Sequence, residues 1–340
     1  MKTIPVTEAV GTVLCHDVTR IVPGREKGPA FRKGHIIRRE DIPALLDIGK
    51  EHLYVLDLPP GMLHENDAAE RMARAAAGPG IRLTPVSEGK VNLVAQADGL
   101  LKVNTEGLRQ VNVIEGVVFG TLHSNRPISA GSPVAGTRVI PLMVEEEKIR
   151  QVEAICRRHH PLVQVKPFRF WKIGMVTTGS EVYHGRIADT FGPVIREKFA
   201  ALGCPVFEQV LVNDEQSMTV AAIRHLIAAG ADMVVATGGM SVDPDDQTPA
   251  SIRAAGGTVV TYGAPVFPGA MFMLAYIGHV PVLGLPGCVM YFRATIFDLV
   301  VPRLLAGETV SRDEIIALGH GGFCPACPEC RYPQCGFGKT

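Results

Sequence analysis

From residue 167 onward, short apolar runs alternate with amphipathic stretches of helical spacing. WKIGMVTTG (171–179), PVFEQVLV (205–212) and ADMVVATGG (231–239) are apolar runs that end in turn residues and predict strands. PVIREKFAALG (193–203) and EQSMTVAAIRHLIAAG (215–230) predict helices between them, and TPASIRAAGG (248–257) a short one. MFMLAYI (271–277) and VPVLGLPG (280–287) predict two more buried strands, and YFRATIFDLVVPRLLAG (291–307) a closing helix. Strands alternating with helices in this way predict a parallel sheet with helices on both faces.

The first 160 residues have another texture. REDIPALLDIGK (39–50) is spaced as a helix and precedes HLYVLDL, a short strand; LHENDAAERMARAAAG (63–78) is an alanine-rich helix stopped by Gly78 and Pro79. Between Val91 and Val144, short apolar runs alternate with Gly, Asn, Ser and Pro turns, as in a small β-rich module. VEEEKIRQVEAICRRHH (144–160) predicts a helix, with Arg157, Arg158, His159 and His160 as its solvated end. The expected fold class is therefore α/β: a C-terminal, doubly wound, mostly parallel three-layer domain preceded by a smaller β-rich α+β region. The expected segments are an α+β module (1–85), a β-rich module with its closing helix (86–160), the α/β domain (161–308) and a cysteine tail (309–340).

Composition narrows the function classes. The 340 residues carry 34 basic and 34 acidic side chains, a balance that gives no reason to expect nucleic acid or an acidic membrane as partner. Apolar residues make up 46% of the chain, yet none of the runs is as long as a membrane span. The start MKTIPVTEAVGTVL lacks the charged-then-apolar order of a secretory signal, so a cytoplasmic location is expected.

Candidate chemistry gathers at three strand ends, where such sheets bind ligands. The first is TTGSEVYHGRIADT, with Thr178, Gly179, Ser180 and Glu181, then Asp189 and Thr190 before the next helix. The second is TGGMSVDPDDQTP, where Thr237, Gly238, Gly239 and Ser241 form an anion cradle beside Asp243, Asp245 and Asp246. The third is GLPGCV, with Pro286, Gly287 and Cys288. A cradle for phosphate next to three carboxylates makes sense if a cation such as Mg²⁺ bridges them.

These motifs (VTTGSEV, GRIADT, ADMVVATGGMSV and LGLPG) resemble the molybdopterin-binding domain of molybdenum-cofactor biosynthesis proteins, over roughly residues 168–308. That family includes molybdopterin adenylyltransferases, which use ATP and Mg²⁺, and molybdenum insertases, which place molybdate on the dithiolene. The resemblance implies that Thr178, Gly179, Ser180 and Glu181 form the first ligand loop, with Asp189 as the acid that follows it. It implies that Thr237, Gly238, Gly239 and Ser241 hold the phosphate or nucleotide part of the pterin. Asp245 or Asp246 would face the metal or molybdate; with Asp189 they are the catalytic candidates, and Asp243 would help position molybdate. Asp246, Thr248 and Pro249 resemble the Asp-x-Thr-Pro arrangement of the adenylyltransferase branch.

Other positions depart from the family. The insertases' Lys-Pro-Gly-Lys-Pro segment reads APVFPGAMF here, keeping Pro268 and Gly269 without either lysine. The final Gly-Leu-Pro-Gly-Asn-Pro has Cys288 and Val289 in place of Asn and Pro, and Asp-Ser-Asn has become Asp189-Thr190-Phe191. Losing two lysines beside phosphates removes charge stabilisation worth several kcal/mol in a transition state. Two functions follow: a Mg-dependent enzyme of molybdate insertion or adenylyl transfer, or a non-catalytic carrier of molybdopterin for a molybdoenzyme. A third, a nucleotide-pyrophosphate hydrolase or deamidase, is a more distant alternative. Expected partners are the pterin and a nucleotide, a molybdoenzyme or other assembly protein, and further copies of the chain.

Eight cysteines divide unevenly. Cys15, Cys156 and Cys204 sit in apolar surroundings as core thiols, and Cys288 is either another or a soft ligand at the pterin site. The tail GHGGFCPACPECRYPQCGFGKT places Cys324, Cys327, Cys330 and Cys335 in a C-x2-C-x2-C-x4-C pattern. Four thiols this close in a reducing compartment point to shared coordination of an iron–sulfur cluster or Zn²⁺.

Overall fold

A computed structural model describes residues 2–22, 26–55, 58–243 and 246–339. Asp245, one of the expected acids, lies outside them. The chain divides into two compact units, one of residues 1–97, 101–122 and 129–165 and the other of 98–100, 123–128 and 166–340.

The first unit is the β-rich α+β region. Its start pairs Lys2–Pro5 with His52–Val55 and Val18–Val22 with Glu26–Phe31, both antiparallel, over a core that includes Leu14, Ile37, Leu45 and Leu53. A four-stranded antiparallel sheet follows, ordered Ile81–Leu83, Lys90–Ala95, Pro133–Val139 and Val117–Thr121. The predicted helices occupy Asp41–Asp47, Glu65–Ala76 and Glu146–Arg158. Arg71 ties the last two together, donating to Glu153 at 2.8 and 2.9 Å and to Glu146 at 3.0 Å.

The second unit is built on one six-stranded sheet. Its strands are β1 (Ile173–Thr178), β2 (Val206–Val212), β3 (Met233–Thr237), β4 (Thr258–Tyr262), β5 (Met273–Ile277) and β6 (Val280–Leu285), in the order β2-β1-β3-β6-β5-β4. Four strands are parallel; β4 and β5 run antiparallel at one edge. Side-chain alternation splits the core between the two faces. Met233 and Val235 pack on one side with Phe199 and Phe297, whereas Val234 and Ala236 pack on the other with Ile223, Leu226 and Ile252. The helices are α1 (Ser180–Tyr183), α2 (Phe191–Ala201), α3 (Gln216–Ala228), α4 (Thr248–Ala254), α5 (Ile296–Leu305) and α6 (Arg312–Ala317). Among the described residues no helix is long and apolar enough to cross a membrane.

Several elements differ from the sequence pattern, among them a helix at Thr105–Val113 inside the stretch read as β-rich. TVVTY (258–262) is an edge strand whose partly exposed face blurs the apolar run expected of a buried one. The closing helix begins at Ile296, not near Tyr291, because Thr295 and Asp298 form a capping box that fixes its first turn. A second capping box, Ser311 with Glu314, starts the short α6.

Candidate functional site

The parallel register brings the strand ends to one edge. Thr178 pairs opposite Val212, and Thr237 lies opposite both Thr177 and Leu285. Loops leaving β1, β3 and β6 therefore start side by side.

Beneath them lies a floor of buried threonines. Thr178 Oγ1 donates to Thr237 O at 3.2 Å and lies 3.3 Å from Thr248 Oγ1, which donates to Gly238 O at 2.8 Å. Thr237 Oγ1 donates to Thr177 Oγ1 at 3.2 Å, and the Thr248 N–H returns to Gly239 O at 3.1 Å. Thr237 and Thr248 are essentially inaccessible to solvent, so these bonds satisfy hydroxyls whose burial would otherwise cost about 1–3 kcal/mol each. Gly238 fits because it has no side chain: at φ +83°, a Cβ would stand 2.2 Å from Thr178 O.

Above the floor is a cavity of about 490 Å³. Gly238, Gly239, Ser241 and Asp246 form one wall, Pro268 and Gly269 a second, and Pro286, Gly287 and Cys288 a third. Gly269, at φ +139°, lets its loop lie against α5, since a Cβ there would meet the Ile296 side chain at 2.6 Å. Burial pushes the Cys288 thiol up, so it is a neutral thiol near pH 7 and not a thiolate nucleophile. The polar side chains on the wall are Ser241 and Asp246, and among the described residues no lysine or arginine lines it.

The other expected residues described by the structure do not line this cavity. Thr178, Thr237 and Thr248 belong to the floor. Gly179 and Ser180 follow β1, where Asp214 accepts the Ser180 N–H at 2.9 Å, and Glu181 is exposed. Asp189 starts α2: its carboxylate accepts the Phe191 and Gly192 N–H groups at 2.9 and 3.0 Å and the Gln209 side-chain amide at 2.6 Å. Thr190 is exposed and donates to the Met290 sulfur at 3.3 Å. The Asp243 N–H donates to Asp246 Oδ2 at 3.0 Å, and the Asp246 N–H to Asp243 O at 2.9 Å. Among the described residues, no group of three His, Cys, Asp or Glu side chains is placed to hold a metal ion.

Sequence reasoning missed Gln209, Asp214 and the aromatic rim. Gln209 joins Asp189 to the floor, donating to Thr177 Oγ1 at 3.0 Å; the sequence shows it only as one of two adjacent polar residues, with Glu208, inside the strand VFEQVLV. Asp214 lies just past the end of β2, the position that should have drawn notice. Phe191 and Phe267 line the cavity and carry no motif.

Residues 174–306 match the family model of the probable molybdopterin binding domain. The second unit carries a domain of the molybdopterin-binding family. Residues 3–57 match a domain of unknown function, DUF8806. A CinA-like protein of Mycobacterium sp. (strain MCS) is 35% identical over 81 residues, 24% of this chain and 19% of that protein. The chain thus spans about a fifth of the length of the curated relatives it matches. Among solved structures, a tungsten cofactor synthesizing MoaB from Pyrococcus furiosus aligns with 41% of this chain and 97% of its own, at 21% identity and a TM-score of 0.34. A molybdopterin biosynthesis MoeA protein from Pyrococcus horikosii aligns with 90% of this chain and 74% of its own, at 17% identity and a TM-score of 0.35. Within the molybdopterin-binding domain, two of the three strand-end loops that carry the sequence resemblance, those after β3 and β6, line the cavity together with the segment Phe267–Met271, whereas the loop 178–190 does not.

Proposed function

We propose that the molybdopterin-binding domain holds molybdopterin, or its adenylylated form, in the 490 Å³ cavity as a step of molybdenum-cofactor biosynthesis. The observation that carries this reading is the convergence on one cavity of Gly238–Gly239 and Pro286–Cys288, at the carboxyl ends of the parallel strands β3 and β6, with Pro268–Gly269 from the connection between β4 and β5. Glycine backbone on all three walls allows close approach of a phosphate, while Phe191, Phe267 and Met271 offer apolar surface to a planar ring. Ser241 would hydrogen-bond the phosphate. Asp246 would take the cation that phosphate brings with it; Mg²⁺ bound there would neutralise the repulsion between the two. Asp189 would act indirectly, by fixing the start of α2 and, through Gln209, the floor.

One feature favours a carrier over an insertion or transfer enzyme. Among the described residues the wall offers one acid and no cationic side chain, so charge developing on a transferring phosphoryl group would meet no lysine or arginine. The test is to incubate the full chain with molybdopterin, MgATP and molybdate, following pterin retention by fluorescence and nucleotide turnover by AMP and pyrophosphate. Retained pterin without turnover supports the carrier; turnover supports the enzyme; release of phosphate from nucleotide pyrophosphates alone, with no pterin bound, overturns both.

A further inference from the structure

The cysteine tail plays no part in that reading and has its own cavity. Residues 321–338 close into a loop, with the Gly338 N–H donating to Gly321 O at 2.9 Å. The loop is held by the Tyr332 hydroxyl, which donates to Asp298 O at 2.9 Å, and by buried Phe337. Its backbone has no helix and no strand beyond a single parallel bridge between Phe323 and Phe267. A loop of this length with so little backbone pairing pays a large ordering entropy and needs another cross-link. It carries the means: Cys324, Cys327, Cys330 and Cys335 are all free and all border one cavity of about 420 Å³. Three of them are half-buried against the sheet's core, and Cys327 is exposed. Between the first two, Ala326 adopts a left-handed φ of +51°, a sharp turn that a non-glycine residue adopts only at a cost of roughly 1 kcal/mol or more. Arg293 and Arg331 border the same cavity.

We propose that the tail closes around a thiolate-held metal centre, a zinc ion or an iron–sulfur cluster, and that this centre locks one wall of the pterin cavity. The thiols ring the tail cavity with no three of them at one point, so ligation draws them inward over space they already border. With a divalent ion, four thiols release four protons to solvent and leave a complex of net charge −2, which Arg293 and Arg331 offset. The path to the other cavity is short. The Cys324 N–H donates to Phe267 O at 2.8 Å, the Phe267 N–H donates to Gly322 O at 2.7 Å, and Phe267 lines the pterin cavity. The locking half rests on the proposed pterin site; the metal half does not.

The experiment uses the full chain, purified without oxygen and analysed for zinc, iron and acid-labile sulfide, with a visible spectrum and a count of reactive thiols. About one zinc per chain, or iron with matching sulfide and a visible band, is the expected result and separates the two centres. Cys327→Ser, at an exposed position, should lower metal content at least tenfold with the circular dichroism spectrum unchanged. A metal-free chain whose four tail thiols stay fully reactive after zinc, or iron with sulfide, is supplied under reducing conditions overturns the proposal. Metal loading should also slow amide exchange around Phe267 at least tenfold, and unchanged exchange there overturns the lock. Metal ligation in a chain that binds no pterin would sink the proposed function and leave the metal centre standing.

Discussion

The buried threonine floor at the strand ends and the cysteine tail belong to the same unit, yet opposite means hold them. The floor inherits its geometry from the parallel ladder: strand register sets Thr177 against Thr237, and neutral hydroxyls then satisfy one another and the turn backbone. The tail has almost no ladder and is fixed at a few points: a backbone closure, one phenol and a bridge at Phe323. The difference shows where placement comes from. Repeated backbone pairing lets side chains serve as fine adjustment, whereas a loop without it must draw its order from cross-links between side chains.

The largest expected effect is at the floor. Gly238→Ala forces an L side chain to φ +83° and drives its Cβ to 2.2 Å from Thr178 O. A loss of about 3 kcal/mol in domain stability, read from the denaturant midpoint, is expected from strain and clash together. A variant within about 0.5 kcal/mol of the parent would mean that the floor yields, and the contrast with the tail would fall. Thr248→Val comes next. It keeps the shape but removes the hydroxyl that donates to Gly238 O and meets Thr178, for an expected loss of about 1–2 kcal/mol. Pterin affinity should fall with it; full affinity would show that the floor does not shape the cavity.

The same contrast explains what the sequence made legible. Most strands, most helices and the turns that end β1, β3 and β6 could be read because apolar runs ending in Gly, Thr and Pro directly encode buried parallel strands and their turns. Thr248 looked like part of a ligand motif and is instead a buried strut, since a motif names a residue without saying which way its side chain points. Gln209 and Asp214 stayed hidden because each acts across the sheet on a residue distant in sequence, Asp189 and the Ser180 N–H. The edge strand 258–262 was missed because one of its faces is open to solvent. In the tail the four cysteines were plain from spacing, while their arrangement in space was not, because the spacing C-x2-C-x2-C-x4-C alone does not fix a backbone.

A smaller effect is expected where the tail meets the core. Burial, and then the charge of Asp298, push the Tyr332 hydroxyl well above its ordinary value, so it remains a donor throughout the accessible pH range. Tyr332→Phe leaves the ring packed and removes only the bond to Asp298 O, for an expected loss of about 1 kcal/mol. Protease cleavage within 321–338 should speed up several-fold while the midpoint of the floor hardly moves. Equal loosening of both regions would show that they are one cooperative element and not two.

The smallest effect is a pH dependence that the floor's own hydroxyls cannot supply. Its threonines are neutral at every accessible pH, whereas α6, which leads into the tail, is fixed by Glu314. Burial pushes that carboxyl up, but the Ser311 N–H and hydroxyl and the Arg303 guanidinium outweigh it and hold it below the usual carboxylate range. A carboxyl whose folded pKa is depressed adds stability above its unfolded value, about 4.3, and that stability is lost as pH falls through the folded value. With 43% of the Glu314 side chain exposed, solvent screening keeps the contribution under about 1 kcal/mol. Tail proteolysis should therefore quicken as pH drops from 5 towards 3, at conditions where the protection of the β1 and β3 amides, taken relative to their intrinsic exchange rates, stays constant. Glu314→Gln should bring the faster rate to pH 7 and flatten its pH profile; a variant that keeps the parent's profile would place the tail's acid sensitivity in the cysteine loop itself.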